Sequence, residues 1–186
     1  MRKLFFIATL LLALPLVAQA QDAPRAEIFG GYSYLRFNPD GPDNSLDMNG
    51  WNASAAVNFT KYAGIVADFS GHYDDFSFVG GKADISGYLF LVGPRFSLRK
   101  YERLTPFGHV LLGAARAHLS TQTIAGKIKD SDSAFAMAIG GGLDAKLTKN
   151  LAVRIIQTDY VLTRFDDDTQ NSLRISTGLV LRLGNQ

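Results

Sequence analysis

Along residues 50–59, "GWNASAAVNF", large or apolar side chains fall at every second position: Trp51, Ala53, Ala55, Val57 and Phe59 alternate with Asn52, Ser54, Ala56 and Asn58. A period of two marks a strand with two chemically different faces. The same period recurs along the chain and predicts about eight strands. The first, residues 25–37, sets Ile28, Gly30, Tyr32 and Tyr34 against Glu27, Gly31 and Ser33. The second is the stretch just quoted. In the third, 63–73, Ile65, Ala67, Phe69 and Tyr73 oppose Gly64, Asp68, Ser70 and His72. In the fourth, 83–97, Tyr88, Phe90, Val92, Pro94 and Phe96 oppose Gly87, Leu89, Gly93, Arg95 and Ser97.

The fifth strand, 105–117, is the least regular, with Val110, Leu112 and Ala114 against His109, Gly113 and Ala115. The sixth, 133–147, shows Phe135, Met137, Ile139, Leu143 and Ala145 against Ala136, Ala138, Gly140, Gly142, Asp144 and Lys146. The eighth, 173–183, shows Leu173, Ile175, Leu179, Leu181 and Leu183 against Arg174, Ser176, Gly178 and Arg182. The seventh, 151–163, breaks the rule: Arg154 begins the polar face, but Gln157 and Asp159 fall on the opposite parity. A one-residue bulge near Ile156 restores both to the polar side.

Connections alternate in length. Long hydrophilic ones cover 38–49, 74–81, 118–132 and 164–172, whereas 60–62, 98–104 and 148–150 are shorter. Long loops at one end, with tight turns and both termini at the other, are the asymmetry of barrels in the bacterial outer membrane.

Alternation alone leaves open which face meets water, because a soluble barrel turns its apolar face inward and a membrane barrel turns it outward. Volume breaks the tie. The interior of an eight-stranded barrel holds only packed side chains or one small ligand. Tyr32, Tyr34, Trp51, Phe59, Phe69, Tyr73, Tyr88, Phe90, Phe96 and Phe135, with many aliphatic residues, overfill it. The other face, rich in Gly, Ala, Ser and Asn, fits a narrow lumen. The aromatic face is therefore expected outside, with rings near strand ends anchoring the lipid boundaries.

The start of the chain fixes the compartment. Arg2 and Lys3 precede an apolar run, Leu4 to Val17, and the small residues Ala18-Gln19-Ala20 follow, which together read as a signal peptide cleaved after Ala20. The remainder, 21–186, reads as one barrel domain. Losing Arg2 and Lys3 lowers the 19 basic residues to match the 17 acidic ones, so the mature chain is near neutral. Scattered, balanced charge gives no nucleic-acid signature. With no cysteine, neither disulfides nor thiolate sites are available, and a closed strand network is the remaining source of stability.

Charges on the lumen face need partners, since an unpaired ion in a narrow barrel is expensive to desolvate. Glu27, Asp68, Asp144 and Asp159 are expected to neutralise Lys146, Arg95, Arg154, Arg174 and Arg182 in a layered network, a polar plug in preference to an ion path. His72 and His109 lie too far apart to suggest a metal site and read as lumen histidines bonded to neighbours.

The segments "EIFGGYSYLRF", "YLFLVGPRFSLRK", "AVRIIQTDYVLTRF" and "LRISTGLVLRLG" resemble the small outer-membrane β-barrel domain family that includes the OmpA-type membrane domain and opacity-like proteins. The resemblance covers essentially the whole mature chain and rests on pattern more than on fixed residues. It implies an all-β fold, an eight-stranded antiparallel up-and-down transmembrane β-barrel. It also implies insertion by the barrel-assembly machinery. The barrel is expected to lie among lipid and lipopolysaccharide as a monomer, without cofactor or metal. In the last strand Ser176, Gly178, Leu181 and Leu183 resemble that machinery's recognition signal, with Leu in place of the usual terminal aromatics. No peptidoglycan-binding domain follows the barrel in this sequence.

Some small barrels modify lipid A. His118 and Ser120, two apart on an extended segment, with Asp132 returning across a hairpin, resemble a deacylase's base, nucleophile and acid. The following "TQT" departs from that motif. The expectation is thus a non-enzymatic outer-membrane barrel with a structural or surface-interaction role. A small ion channel, a lipid A hydrolase and a soluble lipocalin-like carrier stand as alternatives.

Overall fold

In a computed structural model, which describes residues 23–38, 46–78, 81–123, 126–165 and 168–185, the chain forms eight strands. They are β1 (Pro24–Asn38), β2 (Leu46–Asn58), β3 (Ala63–Phe78), β4 (Gly81–Ser97), β5 (Leu104–Thr123), β6 (Gly126–Lys146), β7 (Leu151–Phe165) and β8 (Asp168–Asn185). Each pairs antiparallel with its neighbours in sequence, and β1 pairs with β8, so the sheet closes into a barrel. The expected leader, residues 1–20, lies outside the described residues.

Two of the three tight turns share one chemistry. Thr60 and Thr148 each begin a Thr-Lys turn, and their Oγ1 atoms accept the backbone N–H groups of Ala63 (3.0 Å) and Leu151 (3.1 Å). Pro24 pairs with Asn185, so the two chain ends meet at this same rim.

The bulge falls where the broken parity of β7 places it. Arg154 pairs with Gly178 and Gln157 with Ser176, so Ile155 and Ile156 together oppose Thr177, whose hydroxyl donates to the Arg154 carbonyl at 2.9 Å. Both isoleucines point outward, 50% and 45% exposed, while Arg154, Gln157 and Asp159 all point in. The inserted residue thus spares an exterior carboxylate.

At the opposite end the structure differs from the sequence reading. Three of the four connections expected to be long loops are largely strand: β3–β4 pairs up to Phe78 and Gly81, β5–β6 up to Thr123 and Gly126, and β7–β8 up to Phe165 and Asp168. Beyond the apolar band a ladder needs backbone hydrogen bonds and no hydrophobic alternation, so polar residues continue the strands as hairpins. Much of the remaining expected loop, 38–49, falls on residues 39–45, outside the described residues.

The interior is also less polar than expected. Ala56, Val66, Leu89, Leu91, Leu111, Ala115, Ala134, Ala136, Ala138 and Val161 form one buried apolar cluster, and Phe29, Ala152 and Val180 a second. In a lumen too narrow for bulk water, removing apolar area from water stabilises the barrel as it does any core.

Candidate functional site

The inward positions toward the short-turn end carry the charge. Glu27 of β1 meets three guanidinium groups: Arg95 of β4 at 3.4 Å, Arg99 at 2.9 Å and Arg182 of β8 at 3.3 Å. Arg95 also reaches Asp144 of β6 at 3.2 Å. Asp144 accepts in turn from Arg154 of β7, at 2.8 Å to Nε and 3.2 Å to Nη2. Arg154 donates to Gln157 (2.6 Å), and the Gln157 amide donates to Asp159 (2.7 Å). Asp159 binds Arg174 through two nitrogens, at 3.0 and 2.7 Å, and His109 Nε2 at 2.7 Å. Arg174 crosses the lumen to Asp68 of β3 (2.7 Å) and Ser70 (3.0 Å), and Asn52 of β2 donates to Asp68 at 3.0 Å.

One continuous chain of ion pairs and hydrogen bonds therefore runs from Glu27 to Asn52 and touches all eight strands. Its members are buried: Arg174, Asp144, Asp159 and Gln157 are 0% exposed. Each buried ion carries a desolvation penalty of several kcal/mol, offset here because almost every carboxylate oxygen faces a guanidinium or another donor.

Two aromatic rings complete the packing. Arg154 lies over Phe29 (4.2 Å to the ring centroid) and Phe107 (4.4 Å), and Arg95 over the same Phe107 (4.1 Å). A guanidinium stacked this way gains a favourable ring contact while its edge still donates. Space for the network comes from β6. A Cβ on Gly140 would fall 2.0 Å from Asp159 Oδ1, and one on Gly142 would meet Phe107 Cζ at 2.8 Å.

Of the residues expected in this network, Glu27, Asp68, Arg95, Asp144, Arg154, Asp159, Arg174 and Arg182 meet inside the barrel. Lys146 does not: it is exposed at the end of β6, where the strand leaves the lumen. Sequence reading missed Arg99, which sits in the turn after β4 and sends its side chain back to Glu27. It also missed Phe29 and Phe107, although Phe29 shares the parity of Glu27 and Ser33.

The exterior carries the rings expected there. Tyr32, Trp51, Phe59, Tyr73, Phe90, Phe96 and Phe135 are exposed, while Tyr34, Phe69 and Tyr88 are half-buried on the same outer face. Phe69 stacks on Phe90 (4.3 Å) and meets Trp51 edge-on (4.8 Å). Polar tips line up at one level: Trp51 Nε1 donates to Tyr73 Oη at 3.4 Å, Tyr73 Oη to Tyr88 Oη at 3.3 Å, and Tyr32 Oη to Asn49. Exposed Phe59, Tyr62, Phe96 and Tyr101 gather near the tight turns. From Ala63 to Tyr73 the strand climbs about 25 Å at about 3.3 Å per residue and a tilt of about 40°, the height of a membrane barrel's apolar band.

In β8, Ser176 and Gly178 face inward, whereas Leu181 and Leu183 face outward, 50% and 46% exposed. The deacylase-like trio is not assembled. His118 pairs with Ser131 and packs its ring against Tyr88 on the outer wall (6.1 Å), whereas Asp132 pairs with Ala117 and lies on the opposite, lumen-side parity. The Ser120 side chain lies outside the described residues.

Residues 6–180 match the family model described as outer membrane protein beta-barrel domain. Among solved structures, Ail, the attachment invasion locus protein of Yersinia pestis, determined with the heparin analogue sucrose octasulfate, is 24% identical with a TM-score of 0.62, over 85% of this chain and 99% of that one. Neisserial surface protein A is 8% identical with a TM-score of 0.64, over 88% and 100%. OprG of Pseudomonas aeruginosa is 11% identical with a TM-score of 0.53, over 88% and 98%. No curated protein sequence matches the chain.

Proposed function

Because the chain belongs to the outer membrane protein beta-barrel domain family, we propose that it is a plugged, non-enzymatic barrel of the bacterial outer membrane whose activity lies in its surface hairpins. The observation that carries this reading is the Glu27-to-Asn52 network, which bars the lumen with paired side chains from all eight strands and leaves the hairpin end, with the protruding β3–β4, β5–β6 and β7–β8 hairpins, as the accessible part. A leader cleaved after Ala20 delivers the chain to the barrel-assembly machinery, which reads β8. The product is a monomer held in lipid and lipopolysaccharide by its exterior rings.

Shortening the segment 118–132 tests the surface role. Sucrose octasulfate is the first probe, since Ail was determined with it. The shortened barrel should keep its heat-modifiable gel migration and lose binding to the probe or to a cell surface. Binding that survives removal of both 38–49 and 118–132 would refute the assignment. In planar bilayers the intact barrel should pass no steady current, and a current that changes with Arg154→Ala would instead identify a pore.

A further inference from the structure

Above the ion network the lumen changes character. Along β3 the successive inward residues are Asp68, Ser70 and His72, and beyond them opens a cavity of about 430 Å³ toward the hairpin end. Its wall is apolar, built from Leu35, Met48, Leu89 and Val161. Three polar atoms among the lining residues lack partners. His72 Nδ1, Thr163 Oγ1 and Gln170 Oε1 are buried and have no hydrogen-bond partner among the described residues. His72 is 0% exposed and Thr163 6% exposed, and the other ring nitrogen of His72 is tied to Ser33 Oγ at 2.9 Å. An orphaned buried polar group is costly, so three around one apolar space point to a ligand that satisfies them.

We propose that this cavity binds a neutral amphiphile, an aliphatic body bearing a hydroxyl or amide head that donates to and accepts from Thr163, Gln170 and His72. The volume lies within the roughly 300–1,000 Å³ of small-molecule sites. Neutrality follows from the groups left without partners, a hydroxyl, an amide oxygen and an imidazole nitrogen, and from the described charged residues that line the cavity, Asp132 and Arg116, which are one of each sign. The inference needs only the barrel and is independent of what the hairpins bind.

Two methionines make it testable. Met48 lines the cavity, whereas Met137 lies on the outer wall between exposed Phe135 and Ile139. The refolded barrel in nanodiscs, labelled with ¹³C at methionine methyls, is titrated with 1-octanol, with octane and octanoate as controls. The expected result is a saturable shift of the Met48 methyl that Met137 does not share, with octane and octanoate at least tenfold weaker. Thr163→Val, which keeps shape and removes the hydroxyl, should weaken octanol about tenfold and leave octane unchanged. Ala115→Leu, which fills the cavity, should abolish the shift while heat-modifiable migration persists. Equal movement of Met48 and Met137 would mean partition into lipid and would overturn the proposal. So would an unshifted Met48, tighter binding of octanoate, or octanol affinity indifferent to Thr163→Val.

Discussion

Arg174 holds Asp68 and Asp159, on two different strands, with no solvent contact of its own. Replacing it by Leu strands two buried carboxylates near one another, and such a break costs about 3–5 kcal/mol. Urea unfolding of the barrel in lipid vesicles should register that loss, and the triple change with Asp68→Asn and Asp159→Asn should recover part of it. Gly140→Ala acts on the same carboxylate from below. A Cβ there would fall 2.0 Å from Asp159 Oδ1, the oxygen bonded to His109, and 2.4 Å from the Thr158 carbonyl oxygen, so both the carboxylate and the β7 backbone must shift, an overpacking cost of about 1–3 kcal/mol seen by the same assay. Most network residues were legible because parity fixes direction: a charge in step with Glu27 or Asp144 points inward as long as the strand still borders the lumen, a condition that Lys146, at the end of β6, does not meet. Arg99 was not legible, since a turn has no parity and only the three-dimensional reach of its side chain brings it to Glu27. Phe29 and Phe107 were assigned to neither face, although their position in the alternation already set them inside.

At the scale of the element, β7 is the most informative strand. Deleting Ile156 removes the extra residue, and every side chain beyond it must turn over or re-register. Gln157 and Asp159 would then face lipid, and Arg174 would lose one of its two carboxylate partners. The deletion is expected to abolish the heat-resistant folded band on gels, whereas Ile156→Val, which keeps the count, should preserve it. The bulge could be read from sequence because a conflict between two parities has one inexpensive resolution. Strand ends could not. The alternation that reveals a strand exists only where one face meets lipid or core, so pairing that continues into the crown, from Ala117 and Asp132 to Thr123 and Gly126, carries no such signature.

For the molecule as a whole, closure was legible in the even strand count and the unequal connections, because a membrane admits no free sheet edge. The lumen's apolar half was legible only in part: Leu89 was set on the inner face with Arg95, whereas Leu91 and Leu111 were assigned to neither face although their parity places them inside. A closed ring also predicts uniform protection. In hydrogen exchange read by mass spectrometry, the β1–β8 seam should be as slow as β4–β5 in the middle of the chain. Faster exchange confined to the seam would show that the ring opens there.

The braces across the lumen join distant parts of the chain: Arg174 and Asp68 stand 106 positions apart, and Arg99 and Glu27 stand 72 apart. Arg174, on β8, reaches β3 only once β8 has closed onto β1, so this brace contributes little to the climb toward the folded state and much to the depth of the well beyond it. Interactions absent from the transition state act almost entirely on the rate of escape. The latch inside this barrel therefore sets its lifetime: slow to engage, it makes departure slower still.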